Sequence, residues 1–117
     1  MRTIIAGSRN FNDIKELIKA IESCNWEITT VLCGKAKGVD TLGEIWANYL
    51  NIPVEYYSAE WNKFGKSAGY RRNLQMANNA DALIALWNGK SKGTNNMINL
   101  AREKNLKIYI HSIECDG

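Results

Sequence analysis

The residues of this chain best suited to chemistry are glycines, lysines and arginines gathered into short loops. One such loop, Cys33-Gly34-Lys35-Ala36-Lys37-Gly38-Val39-Asp40, follows the apolar pair Val31-Leu32 and leads into a helical pattern. Gly34 and Gly38 permit positive φ and close backbone approach, so successive N–H groups can face a phosphate. The loop lacks the Lys-Ser/Thr ending of a nucleoside-triphosphatase P-loop and the spacing of a dinucleotide fingerprint. A second loop, Asn88-Gly89-Lys90-Ser91-Lys92-Gly93-Thr94, repeats the logic, with Gly93 and Thr94 opening a helix whose free N–H groups attract anions. Between them, Ser67-Ala68-Gly69-Tyr70-Arg71-Arg72-Asn73 places arginines on the first turn of a helix, against the macrodipole's preference for acids. Arg72 and Asn73 offer a planar fork and an amide suited to phosphate or ribose, whereas Arg71 reads as a solvated charge.

These loops share a context. Short apolar runs end at Ile5-Ala6, Val31-Leu32, Tyr56-Tyr57 and Leu86-Trp87, and each is followed by small and basic residues, beginning with Gly7-Ser8-Arg9. The segments 7–11, 33–40, 58–72 and 88–94 hold nine of the fifteen basic residues and two of the twelve acidic ones, Asp40 and Glu60. Their balance is +7, and that of the remaining chain is −4, so the net +3 conceals a polarised molecule. One edge is fitted to a phosphorylated ligand, while the opposite surface does not suit a general nucleic-acid wrap.

The elements that must position these loops alternate strictly. The pattern predicts strands over 3–6, 28–32, 53–57, 82–87 and 107–111 and helices over 13–23, 41–50, 67–79 and 95–104. Strict βα alternation implies a single α/β domain with a five-stranded parallel sheet between two helical layers, whose post-strand loops share one edge. The second helix carries Leu42, Ile45, Trp46, Tyr49 and Leu50 at helical spacing, with Asp40 placed to cap it. Thr94 stands where the last helix needs a cap. Gly65 and Gly69 disfavour the start of the third helix, where an ordered loop over 58–66 is the alternative.

At 117 residues, a domain buries roughly two thirds of its unfolded surface and has little room for a deep pocket. A nucleotide site of about 300 Å³ or more is more easily completed between subunits, so a homo-oligomer, dimer or tetramer, is expected. Three cysteines without metal-ligand spacing read as reduced thiols of a cytoplasmic protein, with no metal and no cofactor expected. The longest apolar run, 82–87, is far short of a membrane span, and the N-terminus shows no secretion signal. Trp46 and Trp87 read as core and Trp26 as partly buried. Trp61, beside Lys63 and Lys66, is placed to stack on a base, and His111 reads as structural.

Five stretches, in order, carry a resemblance: Ile4-Ile5-Ala6-Gly7-Ser8-Arg9-Asn10-Phe11, the run from Cys33 to Leu42, the run from Ala59 to Gly69, Arg72-Asn73-Leu74-Gln75-Met76, and Gly89-Lys90-Ser91-Lys92-Gly93-Thr94. Together they resemble the small YspA-like proteins of the SLOG superfamily over nearly the whole chain. The resemblance implies a Rossmann-type fold that binds nucleotides or nucleotide-derived ligands at the loop edge. That superfamily includes the LOG phosphoribohydrolases, the DprA DNA-binding proteins and the sensor domains of Thoeris-type antiphage systems. The LOG enzymes use an arginine of the third helix, which Arg72 matches, and a glutamate three residues after the Gly-Thr of the last turn, which falls here on Met97.

The ligand set expected from the residues and the resemblance is Gly7, Ser8, Arg9, Gly34, Lys35, Lys37, Gly38, Asp40, Trp61, Lys66, Arg72, Asn73, Gly89, Ser91, Lys92, Gly93 and Thr94. With no carboxylate at position 97, the leading expectation is a non-catalytic pocket for an ADP-ribose-like or cyclic nucleotide, sequestering an immune signal if the chain comes from a phage or mobile element. The alternative is a nucleoside monophosphate N-glycosidase, with Asp40 or Glu60 standing in for the glutamate. Single-stranded DNA binding through the basic edge and Trp61 ranks last, because nothing supplies a second binding module.

Overall fold

The structure is a computed structural model that describes residues 1–34 and 38–114. Its elements are β1 (Arg2–Gly7), α1 (Ile14–Ser23), β2 (Thr30–Cys33), α2 (Val39–Tyr49), β3 (Val54–Tyr56), α3 (Trp61–Phe64), a 3-10 turn (Gly65–Ser67), α4 (Ala68–Asn79), β4 (Ala82–Trp87), α5 (Lys92–Glu103) and β5 (Lys107–Ser112). The five strands form one sheet in the order β3-β2-β1-β4-β5, and every pairing is parallel. This is the three-layer Rossmann-like α/β architecture that the alternation predicts.

Strand alternation sorts the core onto the two faces. Ile4, Ala6, Leu83 and Ala85 join Met76 of α4 and Met97, Ile98 and Ala101 of α5 on one face. Ile5, Ile84 and Leu86 meet Leu17 and Ala20 of α1 and Val39, Leu42 and Ala47 of α2 on the other. Because both faces are covered, the central strands need continuous apolar runs, and β4 is buried from Ala82 to Leu86. At the β3 edge, Arg2 forms a two-pronged ion pair with Glu55, which also accepts from the Tyr57 hydroxyl. The Arg2 contact, ahead of Tyr57, holds the Glu55 carboxyl down at about 2.

Sheet order positions the site. From β1 the chain builds outward through β2 and β3, then returns to β4 on the other side of β1, so the connections diverge between β1 and β4. A crevice opens at such a switch point beyond the strand ends, where Gly7 is in register with Leu86.

Several local readings are corrected. The second helix begins at Val39 behind Gly38, whose φ of 76° lets the chain turn into it, so Asp40 lies inside the first turn and is not the cap. Ser91, not Thr94, caps α5, accepting from the Thr94 N–H at 3.4 Å. The apolar stripe of α2 divides: Leu42 is buried, Trp46, read as core, is half-buried, and Ile45, Tyr49 and Leu50 face solvent. The inward face is instead Val39, Leu42, Gly43 and Ala47, with Gly43 packed against Ile5. Trp87 is likewise half-buried, its indole N–H donating to the Ser91 carbonyl. Trp26 is partly buried as expected and donates to Thr3 Oγ1. His111 is tied to Glu16 at 2.7 Å, a structural contact.

Candidate functional site

The crevice holds two adjoining cavities. The inner one, about 190 Å³, is floored by Ala6, Met76 and Met97 and walled by Gly7, Ser91, Thr94, Asp40 and Arg72. The outer one, about 200 Å³, is bounded by Trp61, Lys66, Gly69 and Tyr70. Arg9, Arg72, Asn73 and Gly93 belong to both, so they form the partition between the two. Neither cavity alone reaches the roughly 300 Å³ of a small-molecule site, but the pair does.

Each wall follows from its element. Gly7 ends β1 where a Cβ would overlap the Leu86 carbonyl oxygen, so only glycine lets the two central strands close at the switch point. Thr94 and Gly93 come from the first turn of α5, whose N-terminus points its dipole into the inner cavity; a Cβ at Gly93 would meet only open space. Arg72 and Asn73 come from the second turn of α4, opposite. The Arg72 guanidinium donates through Nη1 to the Gly34 carbonyl and through Nε to Asn73 Oδ1 at 3.1 Å. Asn73 in turn donates to Asn96 Oδ1 at 2.9 Å and to the Gly93 carbonyl at 3.4 Å. Asn73, read from the sequence as an amide for the ligand, thus spends its donors bracing α4 to α5.

The electrostatics of the partition are those of an anion site. Burial pushes the Arg72 guanidinium below the ordinary arginine value; Asp40 partly offsets this, and Arg9 adds repulsion in the same direction as burial. Two arginines therefore face one space and repel each other across it, while Arg72 has N–H groups beyond the two engaged that meet no acceptor among the described residues. Asp40 is buried, at 6 % exposure, and shares the wall of the inner cavity with Arg72. A Cβ placed on Gly34 would lie 2.9 Å from Asp40 Oδ2 and 3.0 Å from Arg72 Nη1, so a side chain at position 34 would press on both groups.

Of the residues anticipated, Gly7, Arg9, Asp40, Arg72, Asn73, Ser91, Gly93 and Thr94 line the inner cavity, and Trp61 and Lys66 join at the outer. Gly34 and Gly38 shape the loop behind them, with Gly38 packed onto the Ser8–Arg9 backbone. Ser8 is fully buried and its hydroxyl has no hydrogen-bond partner among the described residues. Gly89, with φ of 80°, makes the turn before α5, and Lys92 is exposed; neither lines either of these two cavities, and nor does Glu60. Lys35 and Lys37 lie outside the described residues. Not anticipated were the apolar floor, Tyr70 as a second aromatic wall, and Asn96, whose only sequence signal is a poor helix former one turn into α5. Position 97 does line the cavity, and a thioether occupies it.

With this geometry in view, similar proteins can be compared. The family model of the YspA, cpYpsA-related SLOG family matches residues 1–64. The chain is 29% identical over 119 residues to the Gene 61 protein of Mycobacterium phage D29, an alignment covering 92% of this chain and 93% of that protein. Among solved structures, DNA processing protein A (DprA) from Streptococcus pneumoniae superposes with a TM-score of 0.75 at 18% identity. It covers 93% of this chain, which spans about half (49%) of the DprA chain, and the likeness is one of fold.

Proposed function

The chain belongs to the YspA, cpYpsA-related SLOG family, and from that premise we propose that its crevice binds a phosphorylated, nucleotide-derived small molecule and holds it unreacted. The observation that carries this reading is the partition, where Arg9 and Arg72 repel each other beside the α5 N-terminus. An anionic group seated there relieves the repulsion and takes the remaining N–H groups of Arg72. Trp61, about half exposed on the outer wall, and Tyr70 beside it supply flat surfaces for a base. Sequestration fits the proposal, because an apolar Met97 at the position where LOG enzymes carry glutamate leaves the bound molecule without that acid. A phage relative over nearly the full chain supports a role in withholding a nucleotide signal from a host defence.

Incubating the protein with nucleoside monophosphates, NAD, ADP-ribose and cyclic ADP-ribose isomers tests the reading, with the bound fraction heated and both fractions analysed by mass spectrometry. An intact nucleotide recovered from the protein is the expected result. Free base in solution would instead make the protein an N-glycosidase acting through Asp40, the one carboxylate among the described residues that line either cavity. Retention of nothing would end the proposal.

The same proposal extends to self-association, through the outer face of α2. Ile45 and Leu50 are each 50% exposed and Tyr49 is 86% exposed. The helix's two acids are otherwise engaged, Asp40 in the cavity wall and Glu44 with the Tyr56 hydroxyl. A helix that is apolar on both faces is normally buried on both. The outer faces of α1 and α5 carry Lys15, Lys19 and Glu22, and Arg102 and Glu103, whereas this one is free of charge. A charge-free face can meet its own copy around a two-fold without like-charge repulsion, which makes a second copy of the chain its occupant. Light scattering should give twice the chain mass for the native protein and the single mass for a Tyr49→Glu, Ile45→Glu variant.

A further inference from the structure

Most glycines of this chain are accounted for by the fold itself. A Cβ on Gly7, Gly34, Gly38 or Gly43 would come within 3.0 Å of a neighbouring atom, and Gly65 and Gly89 have positive φ. Among the described glycines, Gly69 and Gly93 meet neither condition. Each is the second residue of its helix, α4 or α5, and in a helix glycine is the weakest former after proline. A Cβ on Gly93 would meet nothing within 4 Å, and one on Gly69 would make only ordinary van der Waals contacts. Alanine would therefore fit both positions and favour both helices. Both glycines line the outer cavity, so the space that their missing side chains leave belongs to the crevice and not to the protein's own packing.

At Gly69 that space has a definite place. An added Cβ would lie 3.4 Å from Trp61 Cη2 and 3.8 Å from Arg72 Nη2, in contact with the aromatic wall and with the arginine of the partition at once. The bare Cα thus leaves a notch between indole and guanidinium, the size of a methyl group. A ligand that lays a flat ring on Trp61 and an anionic group on Arg72 carries its linking atoms past that notch, and in a nucleotide the linking part is the ribose. Resting on the nucleotide-binding reading above, we propose that Gly69 is a specificity-determining residue, whose absent side chain admits ligands with ring and anion joined across the notch. A methyl there obstructs such ligands and spares an anion that engages Arg72 alone.

Calorimetric titration of the full chain, native and Gly69→Ala, with AMP and with inorganic pyrophosphate, which carries no ring for Trp61, tests the assignment. Forcing a methyl into a filled space corresponds to an affinity loss of about 10- to 100-fold. Gly69→Ala should lose AMP affinity by that factor, hold pyrophosphate to within about 3-fold, and melt at the native temperature or up to about 5 °C above it. A glycine needed only by the fold would give the reverse, a lower melting temperature with binding unchanged, and that result would overturn the inference. AMP bound by Gly69→Ala at native affinity would likewise overturn it and leave the nucleotide-binding reading intact. A parallel loss of pyrophosphate would place the effect on Arg72 itself and overturn the role of the notch. Failure of the native protein to bind either AMP or pyrophosphate would defeat the nucleotide-binding reading and this inference with it.

Discussion

Replacing Arg72 with alanine is expected to weaken ADP-ribose binding by at least about 100-fold, the largest effect on the site from any one side chain. Two charge-assisted hydrogen bonds to one anion account for that magnitude, each contributing roughly 1.5–3 kcal/mol. Arg72 is also the hub of the partition, since it holds the Gly34 carbonyl and Asn73 as well as facing the cavity. Its removal leaves those two acceptors to water that enters the vacated space, so the variant should remain folded with a modest fall in melting temperature. Arg72→Lys separates the two functions. It restores the charge but not the planar fork, and its affinity should fall between the native protein and the alanine variant. Binding of ADP-ribose to Arg72→Ala at native affinity would place the anion elsewhere.

The largest expected effect on stability comes from Gly38→Ala. Two costs combine there, each of roughly 1–3 kcal/mol: a φ of 76° that side chains rarely adopt, and a Cβ driven into the carbonyl oxygens of Ser8 and Arg9. Urea denaturation should show a loss of about 2–5 kcal/mol, a large part of the stability of an ordinary domain. Gly65→Ala is the matched control. Its φ is 57°, yet a Cβ there meets nothing within 4 Å, so it incurs the backbone cost alone and should lose about 1–2 kcal/mol. If the two variants lost equal stability, the contact between Gly38 and the Ser8–Arg9 backbone would carry no weight.

Much of this site was legible in the sequence for a simple reason. Parallel α/β topology puts every post-strand loop on one edge, so Arg9, Asp40, Arg72, Ser91, Gly93 and Thr94 could be grouped without knowing a distance. Helix starts were less legible. Asp40 and Thr94 are good caps by type, but Gly38 reaches a backbone conformation that starts α2 ahead of Asp40, and Ser91 takes the cap of α5 three residues before Thr94. The direction of α2 could not be read because the helix has two apolar stripes. Periodicity identified 42, 45, 46, 49 and 50, while the sheet selected 39, 42, 43 and 47, where small and branched residues let the helix approach Ile5. Asn73 was recognised as part of the site, but its partner Asn96 was not, since a side-chain bond across 23 positions leaves no local pattern.

That last bond ties together two stretches of chain that would otherwise vary separately. The plane of the Arg72 guanidinium is set in part by Asn73 Oδ1, and the Asn73 side-chain amide is held by Asn96 and Gly93 on a different helix. An exchange at position 96 therefore turns an amide one helix away and, through it, the arginine. Positions 73 and 96 of this chain are thereby coupled, and a shift in ligand preference can begin at a residue that lines neither cavity.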